Sequence, residues 1–62
     1  MTTAADFARA AAQMGRAAEQ MKPDDFDAYA QKRKLIQYHL NTAAKHAREI
    51  AEALAKQEEP TA

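Results

Sequence analysis

The residues of this sequence that could do chemistry are two histidines and a nearby glutamate. His39 and His46 are seven residues apart, and Glu49 follows His46 by three. Imidazole and carboxylate groups bind metal ions and transfer protons. Seven residues of a helix rise about 10.5 Å, however, whereas helical histidines that share an ion are four residues apart. A dimer could bring two histidines together, but the spacing favours hydrogen bonds at the edge of an interface. We predict no metal and no cofactor.

Other catalytic chemistry is excluded by the residue types that the sequence lacks. It contains no serine and no cysteine, and Gly15 is its one glycine. A nucleophile elbow, a phosphate-binding loop and a zinc–thiolate site each need residues from this set. No concave site is predicted to organise the remaining acid and base groups. We therefore expect a protein that is not an enzyme.

The size of the chain limits the core that it can build. Its 62 residues make a single domain, 1–62, close to the lower limit for an independent fold. Hydrophobic residues make up 47% of the chain, but seventeen residues are alanine, and no disulfide can form. Few large side chains are left to offset the entropy of ordering the chain. Self-association is the expected route to stability.

Charge is balanced overall but unevenly distributed. The net charge is zero, while residues 32–48 contain five cations and no acid. This basic band could contact an acidic protein surface or nucleic acid. Nucleic acid is the less favoured alternative, because the sequence contains no groove-reading or base-stacking motif. No apolar run approaches the roughly 20 residues that cross a bilayer, and the first residues do not resemble a secretory signal. We therefore expect no membrane association and a cytoplasmic location.

Two helices are predicted to position the histidines and the basic band, and the first helix follows a capping box. Thr3 and Asp6 form a variant of the box, with aspartate in place of the usual glutamate. Apolar residues then recur at helical spacing, which predicts helix 1 at about 3–21. Gly15 lies inside this helix, and a glycine there is consistent with the close approach of a neighbour.

The second helix should be much longer. Pro23 ends the first helical pattern, and Asp24 is the expected N-cap of the next one. No glycine or proline follows until Pro60, so we predict helix 2 at about 24–57 and a frayed tail at 58–62. A short turn would fold the two helices into an all-α antiparallel hairpin with unequal arms.

Helix 2 carries a heptad pattern in which apolar positions alternate steps of three and four. The pattern consists of Phe26, Tyr29, Arg33, Ile36, Leu40, Ala43, Ala47, Ile50 and Leu54. Arg33 is its one polar member, and Glu19 is a candidate partner for the guanidinium. A neighbouring column of mostly small residues widens the apolar stripe, and it consists of Ala30, Gln37, Ala44 and Ala51. A wide apolar stripe suits a helical bundle.

The unequal lengths of the helices predict a homodimer. A short turn would place Phe7 beside Leu40 and the N-terminus beside Ala44, leaving the last turns of helix 2 uncovered. An exposed apolar stripe of that length favours pairing with a second copy into a helical bundle. The predicted self-association residues are Leu40, Ala43, Ala47, Ile50, Ala51 and Leu54.

Leu35 and Tyr38 are the large apolar residues of helix 2 that the heptad leaves outside. Such residues, bordered by cations, are typical of an interaction patch, although a second helix pair of a larger assembly could also cover them. The predicted partner-binding residues are Leu35, Tyr38, His39, Lys34, Lys45 and Arg48. We expect a small non-enzymatic regulator, adaptor or inhibitor that binds another protein, and an acidic surface on that protein would complement the basic band. The alternatives are a nucleic-acid-binding regulator that uses the basic band and a structural subunit of a larger helical assembly.

Overall fold

The computed structural model describes residues 2–58, which form an all-α antiparallel hairpin. Helix α1 spans Ala4–Gln20 and helix α2 spans Ala30–Glu58. The hairpin measures 57 × 18 × 13 Å. Its accessible surface is 5221 Å², whereas a compact protein of 6.9 kDa exposes about 4,000 Å². The predicted fold class is confirmed, and the hairpin is a thin rod with an unusually large surface for its mass.

Helix α1 begins at the predicted capping box. The backbone N–H of Asp6 donates to Thr3 Oγ1 at 3.3 Å, and the backbone N–H of Thr3 donates to Asp6 Oδ2 at 2.9 Å. Arg9 Nη1 lies 3.2 Å from Asp6 Oδ1. The pKa of Asp6 is lowered, chiefly because the backbone and hydroxyl of Thr3 donate to its carboxylate and to a smaller extent because of Arg9. The ionised carboxylate is therefore the form that closes the box.

Helix α2 begins at Ala30, later than predicted, because residues 27–30 form a turn that Asp27 stabilises. Asp27 Oδ1 accepts a hydrogen bond from the backbone N–H of Tyr29 at 2.8 Å. Asp27 Oδ2 lies 2.7 Å from Nε of Arg33. The predicted start at about residue 24 was wrong. Arg33 pairs with an acid, as predicted, but the acid is Asp27 and not the candidate Glu19. At the other end, Glu58 is the last residue of α2, and the rest of the predicted frayed tail, 59–62, lies outside the described residues.

A contact at the end of α2 defines the register of the hairpin. The backbone N–H of Ala4 donates to both carboxylate oxygens of Glu58, at 3.2 and 3.1 Å. The start of α1 therefore lies beside the end of α2, and the predicted position beside Ala44 was wrong. The predicted pairing of Phe7 with Leu40 was wrong for the same reason. Both predictions assumed a short turn, whereas residues 21–29 form a long connection.

This connection accompanies the first turn of α2, where Asp27 pairs with Arg33. Helix α1 reaches α2 at Gln37, which borders a groove with Glu19 and Lys22. The last turns of α2, which the sequence predicted to be uncovered, lie against α1, and Ala47 is buried there. Helix α1 therefore leaves the N-terminal end of α2 uncovered, whereas the C-terminal end was predicted to be uncovered.

The two helices meet along a seam of alanines. The side chains buried among residues 2–58 are Ala11, Ala18, Ala44 and Ala47. Such small side chains let two helix axes approach closely. On α2 the seam uses the 33–40–47–54 column of the heptad pattern and the 30–37–44–51 column beside it. The remaining heptad column, Tyr29, Ile36, Ala43 and Ile50, lies at the edge of the seam and is exposed.

Most of the large apolar side chains stand on one flank of the seam. Phe7 and Met14 are partly buried and pack against Ala11, Ala44 and Ala47. We call this side the apolar flank, and it consists of Phe7, Met14 and Met21 from the α1 side and Ile36, Leu40, Ala43, Ile50 and Leu54 from α2. The opposite side, which we call the polar flank, has open grooves lined by residues that include Ala8, Ala12, Gly15, Arg16, Gln37, Asn41, Arg48 and Glu52.

Gly15 does not mark a close approach between the helices, contrary to the prediction. A methyl group placed on its Cα would meet no atom within 4 Å outside the local helix backbone. Gly15 instead borders a groove on the polar flank. Its lack of a side chain therefore brings no packing benefit to the hairpin.

Candidate protein-interaction surface

Exposed large hydrophobic side chains are concentrated at the loop end of the hairpin. Among the described residues, such side chains occur at six positions, and five of these lie between residues 26 and 38. The five, which we call the loop-end cluster, are Phe26, Tyr29, Leu35, Ile36 and Tyr38. Tyrosine and phenylalanine are enriched at the centres of protein interfaces. A concentration of this kind is typical of an interaction site.

Phe26 lies in a tight turn and is fully exposed. The backbone N–H of Asp27 donates to the carbonyl of Asp24 at 3.2 Å, which makes Phe26 the third residue of that turn. Its side chain is 100% exposed. The heptad pattern had predicted Phe26 to lie in the seam, and this was wrong because α2 begins after Asp27. The signal that could have found the turn is the run of aspartates after Pro23, because aspartate and proline favour turns.

Leu35 and Tyr38 lie on the side of α2 opposite the seam, where they are 57% and 65% exposed. The hydroxyl of Thr42 donates to the carbonyl of Tyr38 at 2.9 Å. The ring of Tyr38 stands edge-on to that of His39, with centroids 5.5 Å apart. We call Leu35, Tyr38 and His39 the Leu35–Tyr38 patch. Its residues are all on one regular helix, which presents them at defined angles.

The cations that were predicted to bind a partner do not form one group. Lys34 and Lys45 are exposed, and they lie four and seven residues from Tyr38, on its side of the helix. Arg48 instead borders a groove between α1 and α2 on the polar flank. The structure thus brings two lysines and His39 to the Leu35–Tyr38 patch and places Arg48 elsewhere.

The residues that were predicted to mediate self-association also differ in accessibility. Ala47 is buried in the seam and cannot contact a second chain. Ala43 and Ile50 are exposed. The half-buried members of the set are Leu40, Ala51 and Leu54. The part of the set that a second chain could reach therefore lies mainly on the apolar flank.

Of the residues that were considered for metal chemistry, His39 lies against Tyr38, whereas His46 and Glu49 lie two turns or more further along α2. His46 Nδ1 is 3.7 Å from Glu49 Oε2, at the long end of ion-pair distances. Within residues 2–58, no group of three or more histidine, cysteine, aspartate or glutamate side chains is arranged to hold a metal ion. The same residues contain no helix that is long and apolar enough to cross a membrane.

Comparisons with protein-family models, with curated proteins and with solved structures find no match to this chain. The loop-end cluster and the apolar flank therefore have to be interpreted from their own geometry. Both are apolar surfaces on the two-helix frame, and a groove at the loop end is lined by residues that include Asp27, Tyr29 and Lys32.

Proposed function

We propose that the protein is a small non-enzymatic regulator, adaptor or inhibitor that acts as a homodimer and binds another protein. The binding site on that partner has an apolar centre and an acidic surround. The observation that supports this proposal is the concentration of exposed aromatic and aliphatic side chains in the loop-end cluster. Aromatic side chains anchor protein interfaces because they bury much apolar area with few rotatable bonds.

Leu35 and Tyr38 are the proposed anchors for the partner. Both lie away from the seam, so a bound protein can cover them without separating α1 from α2. Central anchors of this kind each contribute on the order of 2 kcal/mol to binding. Lys34 and Lys45 lie beside them and accelerate the encounter with an acidic partner.

The distribution of positive charge favours a protein partner over nucleic acid. Arg33 is paired with Asp27, with 2.7 Å between Nε and Oδ2, so its charge is partly neutralised. Lys32 and Lys34 lie on different sides of α2, and Arg48 borders the polar flank. A nucleic-acid backbone is bound by cations that line up along one surface. The basic band of the sequence becomes dispersed when it is wound into a helix.

The double substitution Leu35→Ala, Tyr38→Ala tests the proposed anchors. The full chain and the variant are used as immobilised baits in extracts of the native cells, with and without nuclease treatment. We expect the variant to retain its helical circular dichroism and its mass but to bind the captured partner at least about tenfold more weakly. The double substitution Lys56→Ala, Gln57→Ala changes two exposed residues at the far end of α2 and serves as the control.

Three results would contradict this proposal. Unchanged capture by the Leu35→Ala, Tyr38→Ala variant would place the binding surface elsewhere. Loss of the captured material after nuclease treatment would instead support the nucleic-acid alternative. Unfolding of the variant would mean that the Leu35–Tyr38 patch belongs to the core of a larger assembly.

A further inference from the structure

The apolar flank is continuous along both helices and is bordered by two different edges. Residues seven apart lie at nearly the same angle on a helix, so each edge forms a straight column. The edge on α1 consists of Asp6, Gln13 and Gln20, and Asp6 already accepts from Thr3 and Arg9. The edge on α2 consists of Lys32, His39 and His46, of which Lys32 lies beside the connection and not level with α1. The matching parts of the two edges are Gln13 and Gln20 on α1 and the two histidines on α2, whose amide and imidazole groups can both donate and accept hydrogen bonds.

The centre of the flank also contains complementary shapes. On α2, the exposed column has a small residue, Ala43, between Ile36 and Ile50, which are 45% and 42% exposed. On the α1 side, the matching column is Phe7, Met14 and Met21, with a flexible methionine at its middle. Met14 packs against Ala44 and Ala47, so it lies about level with the turn of α2 that contains Ala43. The large side chain of Met14 on α1 thus lies level with the small side chain of Ala43 on α2.

The area of the flank suits a stable interface. The hairpin is 57 Å long and 18 Å wide, so one face covers about 1,000 Å², and a stable interface buries about 800 Å² on each partner. Burying this face would also remove part of the excess surface that the isolated hairpin exposes. A patch this long that excludes charged residues from its centre has the composition of an interface core.

We infer that a second copy of this chain covers the apolar flank, turned by 180° about the long axis of the hairpin. Each α1 then lies over the α2 of the other copy, and the four helices form a bundle. Met14 of one copy packs over Ala43 of the other, and Gln13 and Gln20 of each α1 meet His46 and His39 of the opposite α2. The same residue sets meet twice, as a two-fold axis requires. This inference rests on the homodimer of the proposed function and assigns its interface and direction.

The first test measures mass in solution for variants of the two flanks. Sedimentation of the unmodified chain at micromolar concentration should give twice the 6.9 kDa chain mass. Ala43→Asp would bury an unpaired charge in the proposed interface, so it should raise the dissociation constant of the dimer at least about 100-fold. Ala12→Asp places the same charge on the polar flank and should leave the dimer unchanged. A monomeric native chain, a mass that keeps rising beyond the dimer, or equal effects of the two substitutions would overturn the inference.

The second test determines the direction of the dimer by cross-linking. The chain has no cysteine, so single-cysteine variants report one position each. Differently tagged Met14→Cys and Ala43→Cys chains should form a disulfide when they are mixed, and at least about tenfold faster than either chain alone. Ala53→Cys, an exposed alanine on the other side of α2, is the control. Rapid cross-linking of Ala43→Cys with itself would indicate copies that run in opposite directions and would contradict the arrangement proposed here.

Failure of this inference and failure of the proposed function give different results. The Leu35→Ala, Tyr38→Ala variant should remain a dimer and lose partner capture. The Ala43→Asp variant should lose the dimer, and circular dichroism on it checks that α-helix is retained at high protein concentration. A dimer that forms through the apolar flank but captures no protein would contradict only the proposed function. Capture by a chain that is a monomer in solution would contradict this inference and the homodimer of the proposed function, but not the proposed partner site.

Discussion

The backbone N–H of Ala4 and the carboxylate of Glu58 meet at the open end of the hairpin, with donor–acceptor distances of 3.2 and 3.1 Å. The carboxylate stands at the positive N-terminal end of α1, where negative charge is favourable. Glu58 is also the last residue of α2, whose own C-terminal end disfavours negative charge. The favourable interaction of the Glu58 carboxylate with the N-terminal end of α1 therefore offsets its unfavourable interaction with the C-terminal end of α2. The favourable interaction exists only in the observed register.

Glu58→Ala should consequently destabilise the hairpin. It removes the acceptor for an otherwise unpaired N–H and the favourable charge at the start of α1, which together contribute about 0.5–1 kcal/mol. The midpoint of thermal unfolding should fall by about 2–6 °C, as followed by circular dichroism. Glu52→Ala, an exposed glutamate on the same helix, should have less effect. Equal shifts in the two variants would mean that the register is not stabilised by Glu58.

Gly15→Ala should stabilise the protein. The added methyl group meets no atom within 4 Å outside the local helix backbone, while alanine restricts the unfolded chain more than glycine does. The expected gain in the free energy of unfolding is about 0.5–1 kcal/mol, measured by urea denaturation. A loss of stability would show that the helices approach more closely at Gly15 than the structure indicates.

Ala44→Leu should destabilise the hairpin because Ala44 is buried in the seam. Three extra carbon atoms at this point force the two helices apart, at a cost of about 1–3 kcal/mol. Ala53→Leu makes the same change at an exposed position of α2 and should be nearly neutral. The comparison is made by chemical denaturation at one protein concentration, since association also affects stability. Similar results at the two positions would contradict the alanine seam.

The capping box should make stability fall in acid. The pKa of Asp6 is lowered in the folded protein, mainly by the hydrogen bonds from Thr3. A lowered folded-state pKa adds stability that is complete above the pKa of the unfolded chain, about 4, and is lost as the pH falls through the folded-state value. Asp6→Asn should therefore unfold at a lower temperature than the native chain at pH 7, and the difference should shrink below about pH 4. A difference in unfolding temperature that does not change with pH would show that the ionisation of Asp6 is not its cause.

The sequence predicted the features of the fold that depend on local pattern. The capping box at Thr3 and the helical spacing after it are local signals, and α1 begins and ends within one residue of its predicted bounds. The start of α2 was missed because three aspartates follow Pro23 and each is a suitable N-cap. The start at Ala30 follows a turn in which Asp27 accepts from Tyr29 and pairs with Arg33, and periodicity does not report these contacts.

The register could not be predicted from the pattern, because apolar residues occur along the whole of α2. A heptad repeat describes which residues share a face but not how far one helix slides along another. The column of residues through Ala44 was predicted only to widen the apolar stripe of helix 2. The structure uses this column as the contact surface, since alanines allow the closest approach of the axes. For the same reason Ile36 and Ile50 are exposed on the apolar flank.

The alanine seam has a consequence for how the hairpin melts. Each buried alanine removes little apolar surface from water, so unfolding a single hairpin exposes little that was not already exposed. The heat-capacity change and the denaturant dependence of unfolding both scale with newly exposed area. A lone hairpin should therefore lose its helices gradually over a wide range of temperature, from the ends inward. A sharp unfolding transition would be a property of a larger assembly that contains the hairpin.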